Sequence, residues 1–80
     1  MSFIYVLKSL KNGKRYIGST RKEPLDRLSE HNSRSNKWTK QNGPFKLLYQ
    51  EYYDDYSEAQ KREKFLKSGQ GRKFLDNMGT

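Results

Sequence analysis

Two β-branched and aromatic runs, Phe3-Ile4-Tyr5-Val6-Leu7-Lys8-Ser9-Leu10 and Arg15-Tyr16-Ile17-Gly18-Ser19-Thr20, are joined through Asn12-Gly13. An Asn-Gly pair between such runs is the strongest short-range signal for a two-residue hairpin, because a type I′ turn needs positive φ at both central positions. With Asn12 and Gly13 as the turn, cross-strand partners are residues whose numbers sum to 25. Ser9 then opposes Tyr16, Leu7 opposes Gly18 and Tyr5 opposes Thr20. Side chains alternate along each strand, so Tyr5, Leu7 and Ser9 share a face with Tyr16, Gly18 and Thr20. Ile4, Val6 and Ile17 share the other, apolar face, which is expected to meet the core. That leaves two phenols on the first face, around a glycine that leaves a gap where a side chain would otherwise stand. Tyrosine is also simply a good strand former, which accounts for either phenol taken alone.

Thr20-Arg21-Lys22-Glu23-Pro24 leads into a helix that starts near Pro24 and fades at Asn32-Ser33. At about 100° per residue, Leu25, Leu28 and Asn32 form its inner stripe, with Arg27 and His31 together on a flank. From Ser33 to Pro44 there is no apolar periodicity, so this stretch reads as a loop. It carries Arg34, Lys37 and Lys40 around Trp38 and has no acidic residue. A tryptophan among cations can stack on a nucleobase while the cations meet phosphates; it can equally anchor the loop by folding back.

A third strand follows Pro44, with Phe45, Leu47, Tyr49 and Tyr53 expected on one face. The second main helix has Asp55 or Ser57 as N-cap, Ser57 with Gln60 fitting a capping box. It runs to about Lys67, and Gly69 suits a left-handed C′ position. Tyr56, Ala59, Glu63 and Leu66 fall in one arc of this helix, while Lys61, Lys64 and Lys67 lie outside it. A carboxylate on an inward arc is costly unless compensated. Arg27, a divalent metal or a tyrosine hydroxyl could each compensate Glu63. The tail from Gln70 to Asn77 forms one or two further helical turns, with Phe74 and Leu75 packing back and Arg72 and Lys73 adding positive surface. The fold class is therefore α/β of the α+β type: a three-stranded, mainly antiparallel sheet with two main helices and a short C-terminal one.

Eighty residues, 31% of them apolar, allow one domain, residues 1–80, with a small core. There is no cysteine for a disulfide or thiolate metal site. No long apolar run suggests a signal peptide or membrane span, so a cytoplasmic, monomeric protein is expected. A formal charge of +8 with a pI near 9.8 favours a polyanionic partner. Nucleic acid fits better than a membrane, because no segment pairs a basic face with a broad apolar one.

Ile4-Tyr5 and Tyr16-Ile17-Gly18, followed by Arg27, His31 and then Ala59, Arg62-Glu63-Lys64 and Leu66-Lys67, resemble the GIY-YIG nuclease family. The closest likeness is to its small stand-alone members and to the N-terminal domain of the excision-repair nuclease. Phe3 stands where the family has its first glycine, and Ser19 or Thr20 where a lysine often lies. Asn77 is the one candidate for the family's C-terminal asparagine. The resemblance implies metal-dependent endonucleolytic cleavage, of DNA ahead of RNA, in repair or recombination. Tyr16 would activate the water, Tyr5 position it or the phosphate, Arg27 bind the scissile phosphate, His31 assist proton transfer and Glu63 hold Mg2+ or Mn2+. Arg34, Lys37, Trp38, Lys40, Lys61, Lys64, Arg72 and Lys73 would contact the nucleic acid. The alternatives are a non-catalytic nucleic-acid-binding module and a structural protein of a nucleoprotein particle.

Overall fold

The two β-branched runs form antiparallel strands, β1 (Ser2–Ser9) and β2 (Arg15–Thr20), and β3 (Phe45–Tyr53) pairs antiparallel with the other edge of β1. The sheet order is β2-β1-β3. Helix α1 (Pro24–Asn32) lies between β2 and β3 in the chain, and α2 (Tyr56–Leu66) and α3 (Gly69–Asp76) follow β3. This computed structural model describes residues 1–32 and 43–78, and the expected α+β architecture is present in it. The basic stretch with Arg34, Lys37, Trp38 and Lys40 lies outside the described residues.

The hairpin forms two residues away from the predicted register. Tyr5 pairs with Gly18 and Leu7 with Tyr16, so partner numbers sum to 23. The reversal uses residues 10–13, closed by Ser9 N donating to Lys14 O at 2.8 Å and Gly13 N to Ser9 O at 3.0 Å. The Ser9 hydroxyl explains the wider loop. It accepts from the backbone amides of Lys11 and Asn12 at 3.1 and 3.2 Å, and Asn12 Oδ1 accepts from Lys14 N at 3.0 Å. Gly13 supplies the positive φ, +76°. Because the slip is even, no side chain changes face.

Both faces of the sheet are covered. Ile4, Val6 and Ile17 pack with Ala59, Leu66 and Leu75 from α2 and α3. On the opposite face Tyr5, Leu7 and Phe45 pack with Leu28 of α1. The face that carries the phenols is thus covered by α1, and Tyr5 is only 1% exposed. Burying a leucine such as Leu66 or Leu75 contributes roughly 1.5–3 kcal/mol.

The structure corrects the inner stripe of α1, the face of β3 and the role of Gly69, and decides the α2 N-cap between its two candidates. In α1 the inner face is Pro24, Arg27, Leu28 and His31, while Leu25 is 64% exposed. Asn32 leaves the stripe and clips β3 instead, accepting from Phe45 N at 2.7 Å and donating to Phe45 O at 3.1 Å. In β3 a bulge falls opposite Val6 and Leu7, which pair with Tyr49 and Leu47. The extra residue, Leu48, inverts the alternation. Phe45 and Leu47 therefore face α1, and Tyr49 and Tyr53 face α2 and α3. Asp55 is the N-cap of α2, its carboxylate accepting from Ser57 N at 3.1 Å, so Ser57 does not cap. The chain passes through Ser68, which caps α3, and Gly69 is the first residue of α3 rather than a left-handed C′ residue of α2.

Candidate active site

Strand pairing decides where the phenols stand. Tyr5 on β1 and Tyr16 on β2 are diagonal neighbours on one face, with ring centroids 6.2 Å apart and planes at 28°. Gly18, directly opposite Tyr5, has no side chain to obstruct it. A Cβ there would stand 2.5 Å from the Tyr5 hydroxyl, so that hydroxyl takes up the gap beside the glycine. From α1, one helical turn apart, Arg27 and His31 reach the same face. The His31 ring lies 4.6 Å from that of Tyr16, 6.4 Å from Tyr5 and 5.9 Å from Phe45.

The electrostatics follow from this burial. Burial pushes the Tyr5 phenol up, and the Arg27 guanidinium beside it opposes the rise only in part. Burial also drives His31 below the ordinary imidazole value; the Arg27 charge adds to this, and Glu30 opposes it. The buried atoms Arg27 Nε and His31 Nε2 have no hydrogen-bond partner among the described residues. Such groups are costly unless something else uses them. The other end of Arg27 is fixed, Nη1 donating to Glu30 Oε2 at 2.8 Å while Lys22 Nζ donates to Oε1 at 3.0 Å.

Glu63 approaches from the other side of β2. Its Oε1 accepts from the Ser19 hydroxyl at 2.6 Å and its Oε2 from Lys67 Nζ at 2.7 Å. Burial raises this carboxyl, but the hydrogen bonds from Lys67 and Ser19 outweigh it and hold it below the usual carboxylate range. Of the compensations open for Glu63, Arg27 pairs with Glu30 instead, and Ser19 and Lys67 hold the carboxylate. The Tyr56 hydroxyl lies 3.5 Å from Ser19 Oγ, and the Arg21 guanidinium stacks 4.2 Å above the Tyr56 ring. A cavity of about 340 Å³ wraps the end of β2, lined by Ser19, Thr20, Arg21, Lys22, Arg27 and Tyr56. It joins the Arg27 side of the edge strand to the Glu63 side.

Tyr5, Tyr16, Arg27 and His31 thus form one group, and Glu63 lies across the β2 edge from it, bonded to Ser19, which lines the same cavity as Arg27. Lys61, Lys64 and Lys73 are exposed on the outer surfaces of α2 and α3, Lys61 near Glu58 at 3.6 Å. Arg72 lines a separate groove. Sequence reasoning missed Ser19, Tyr56 and Glu30 as site residues. A signal existed for the first two, since Ser19 alternates onto the face of Ile17 and Tyr56 shares the helical arc of Glu63.

One ionised carboxylate suits a hard divalent cation that keeps most of its waters and takes further oxygens from a phosphate. Among the described residues no group of three His, Cys, Asp or Glu side chains could form a fuller cage.

An antiparallel α+β domain that gathers phenols, a guanidinium, an imidazole and a carboxylate about one sheet edge has the donor set of a phosphate-handling catalytic domain. The chain belongs to the GIY-YIG family: the family model of the GIY-YIG catalytic domain matches residues 1–75. That family is one of nucleases, which makes nucleic acid the substrate. The chain is 36% identical over 73 residues to a UPF0213 protein of Staphylococcus saprophyticus, covering 91% of this chain and 88% of that one. It is 34% identical over 67 residues to a UPF0213 protein of Clostridium perfringens, covering 84% of this chain and 71% of the relative. No solved structure matches it. No helix among the described residues is long and apolar enough to cross a membrane.

Proposed function

We propose that the protein is a divalent-metal-dependent endonuclease acting on DNA ahead of RNA, in repair or recombination. The observation that carries this reading is the Arg27 guanidinium, 32% exposed, set beside the Tyr5 hydroxyl and lining the β2-edge cavity. A planar guanidinium facing the cavity suits a phosphodiester oxygen.

The roles follow from the environments. Tyr5, its phenol raised by burial, stays protonated and donates a hydrogen bond to the phosphate or the attacking water. Tyr16 contacts that water, and the neutral His31 ring beside it accepts the proton the water releases. The water oxygen bonds to phosphorus as the bond to the leaving sugar oxygen breaks, and that oxygen takes a proton from solvent. A bound metal at Glu63 would supply charge stabilisation at the phosphate and leaving oxygen. Ser19 and Lys67 keep Glu63 ionised for that task.

The non-catalytic reading has one observation in its favour, since both Glu63 oxygens are already hydrogen-bonded. A panel of single-stranded, duplex, branched and flap DNA plus RNA, with and without Mg2+ or Mn2+, tests the proposal. Cleavage that needs the metal and disappears in Tyr16→Phe is the expected result. Binding across the panel with no metal-dependent product would leave only the binding module.

A further inference from the structure

Beyond the candidate active site, a second groove of about 360 Å³ opens between β2 and the α2–α3 junction. Its floor is Ile17, Leu66 and Leu75, and its rim is Lys14, Arg15, Lys67 and Arg72. We infer that this groove binds the phosphate backbone of the nucleic-acid strand leaving the active site, an inference that rests on the nuclease reading above.

The chemistry of the lining selects this ligand. Four cations meet at one groove with no acidic lining residue. Arg15 is paired with Asp76 at 2.9 Å and Lys67 with Glu63 at 2.7 Å. For Lys14 and Arg72 no ion pair is present among the described residues, and both are exposed. Leu66 and Leu75 have no exposed surface and no aromatic residue lines the groove, so there is no platform on which a base could stack. What remains is a positive trough suited to phosphates and indifferent to base identity.

Position supports the same occupant. Arg15, Ile17 and Ser19 alternate along one face of β2, the first two lining the groove and the last the active-site cavity. The Glu63 carboxylate touches Ser19 on one side and Lys67 of the groove rim on the other. At about 3.3 Å per strand residue, Arg15 lies ~13 Å from Ser19. At about 3.4 Å of rise per nucleotide, a strand covers that span in ~4 nucleotides.

The test is binding without divalent cations. Wild type and the double variant Lys14→Gln/Arg72→Gln are titrated with DNA and RNA oligonucleotides of increasing flank length over a range of salt. The affinities are expected to coincide for short flanks and to diverge once a flank reaches ~4 nucleotides beyond the active-site phosphate. For single strands the double variant should lose ~1.4 from the magnitude of the log–log salt slope, which is roughly a 25-fold weakening at 0.1 M salt relative to 1 M. Asp76→Asn, which releases Arg15 into the groove, should tighten binding of the long oligonucleotides. The same response to DNA and RNA identifies the shared backbone as the ligand, and a response to one alone identifies that strand as the occupant. Equal affinity and slope for wild type and double variant at every flank length would overturn the groove while leaving the nuclease reading standing. A wild-type protein that binds no nucleic acid would overturn both.

Discussion

Glu63 is held by two groups that do not depend on it for their own burial. Lys67 is 55% exposed along its side chain, and Ser19 can turn its hydroxyl to a neutral amide. Exposed pairs of this kind contribute about 0–1 kcal/mol. Glu63→Gln is therefore expected to unfold within about 1 kcal/mol of wild type while losing metal-dependent cleavage, read by thermal unfolding and a nicking assay on the same sample. A variant that still cuts per folded molecule would move the metal away from Glu63. Gly18→Ala differs in kind, because its Cβ would meet a hydroxyl on a ring that packing holds in place. Overpacking of this sort costs typically about 1–3 kcal/mol, measurable by urea unfolding. The imidazole of His31 adds a pH dependence. Its folded value lies below the unfolded value of roughly 6.5, so between the two the unfolded chain binds more protons. Stability should be full above that unfolded value and fall as pH drops from there to the folded value. His31→Gln should flatten the decline in unfolding free energy as pH falls below the ordinary imidazole value.

At the scale of elements, the bulge in β3 matters as much as any strand. By inverting the alternation after Leu47 it places Tyr49, Glu51 and Tyr53 under α2. There Glu51 accepts from the Tyr49 hydroxyl, from the Tyr53 hydroxyl at 2.6 Å and from Arg62 Nε and Nη2 at 3.0 and 3.2 Å. Arg62 in turn lies 4.8 Å above Phe65 and 5.0 Å above Phe74, tying α2 to α3. Burial and the hydrogen bond to Glu51 push the Tyr53 phenol up to about 12. Removing one partner of a buried pair costs about 3–5 kcal/mol. With Glu51 19% and Arg62 27% exposed, solvent screening reduces that figure. Glu51→Ala is expected to cost ~1–3 kcal/mol in chemical unfolding, with cleavage per folded molecule unchanged. A large loss of specific activity would assign the cluster a part in the reaction.

For the molecule as a whole, a charge of +8 on eighty residues makes association with nucleic acid chiefly electrostatic. With a footprint of about four phosphates on duplex DNA, affinity should fall ~100-fold between 50 and 200 mM salt. Filter binding over that range checks it, and a flat response would deny the charge its role.

Local pattern determined the elements, the hairpin, the shared face of Tyr5 and Tyr16, and the arc that carries Glu63 with Ala59 and Leu66. Those follow from periods of two and 3.6 residues, which each segment expresses by itself. The even slip of the hairpin left the faces intact for the same reason. The register was decided by a local contact the strand pattern does not show, the amides of Lys11 and Asn12 captured by Ser9, and the inversion in β3 by its pairing with β1 through the bulge. Tertiary structure also turned His31 inward and Leu25 outward, because α1 settles on the aromatic face of the sheet and Asn32 is drawn to the Phe45 backbone. Finally, it brought Ser19 to Glu63, forty-four residues apart, a contact that no local spacing encodes, whereas the Arg27–Glu30 and Glu63–Lys67 pairs are i,i+3 and i,i+4 neighbours on their own helices.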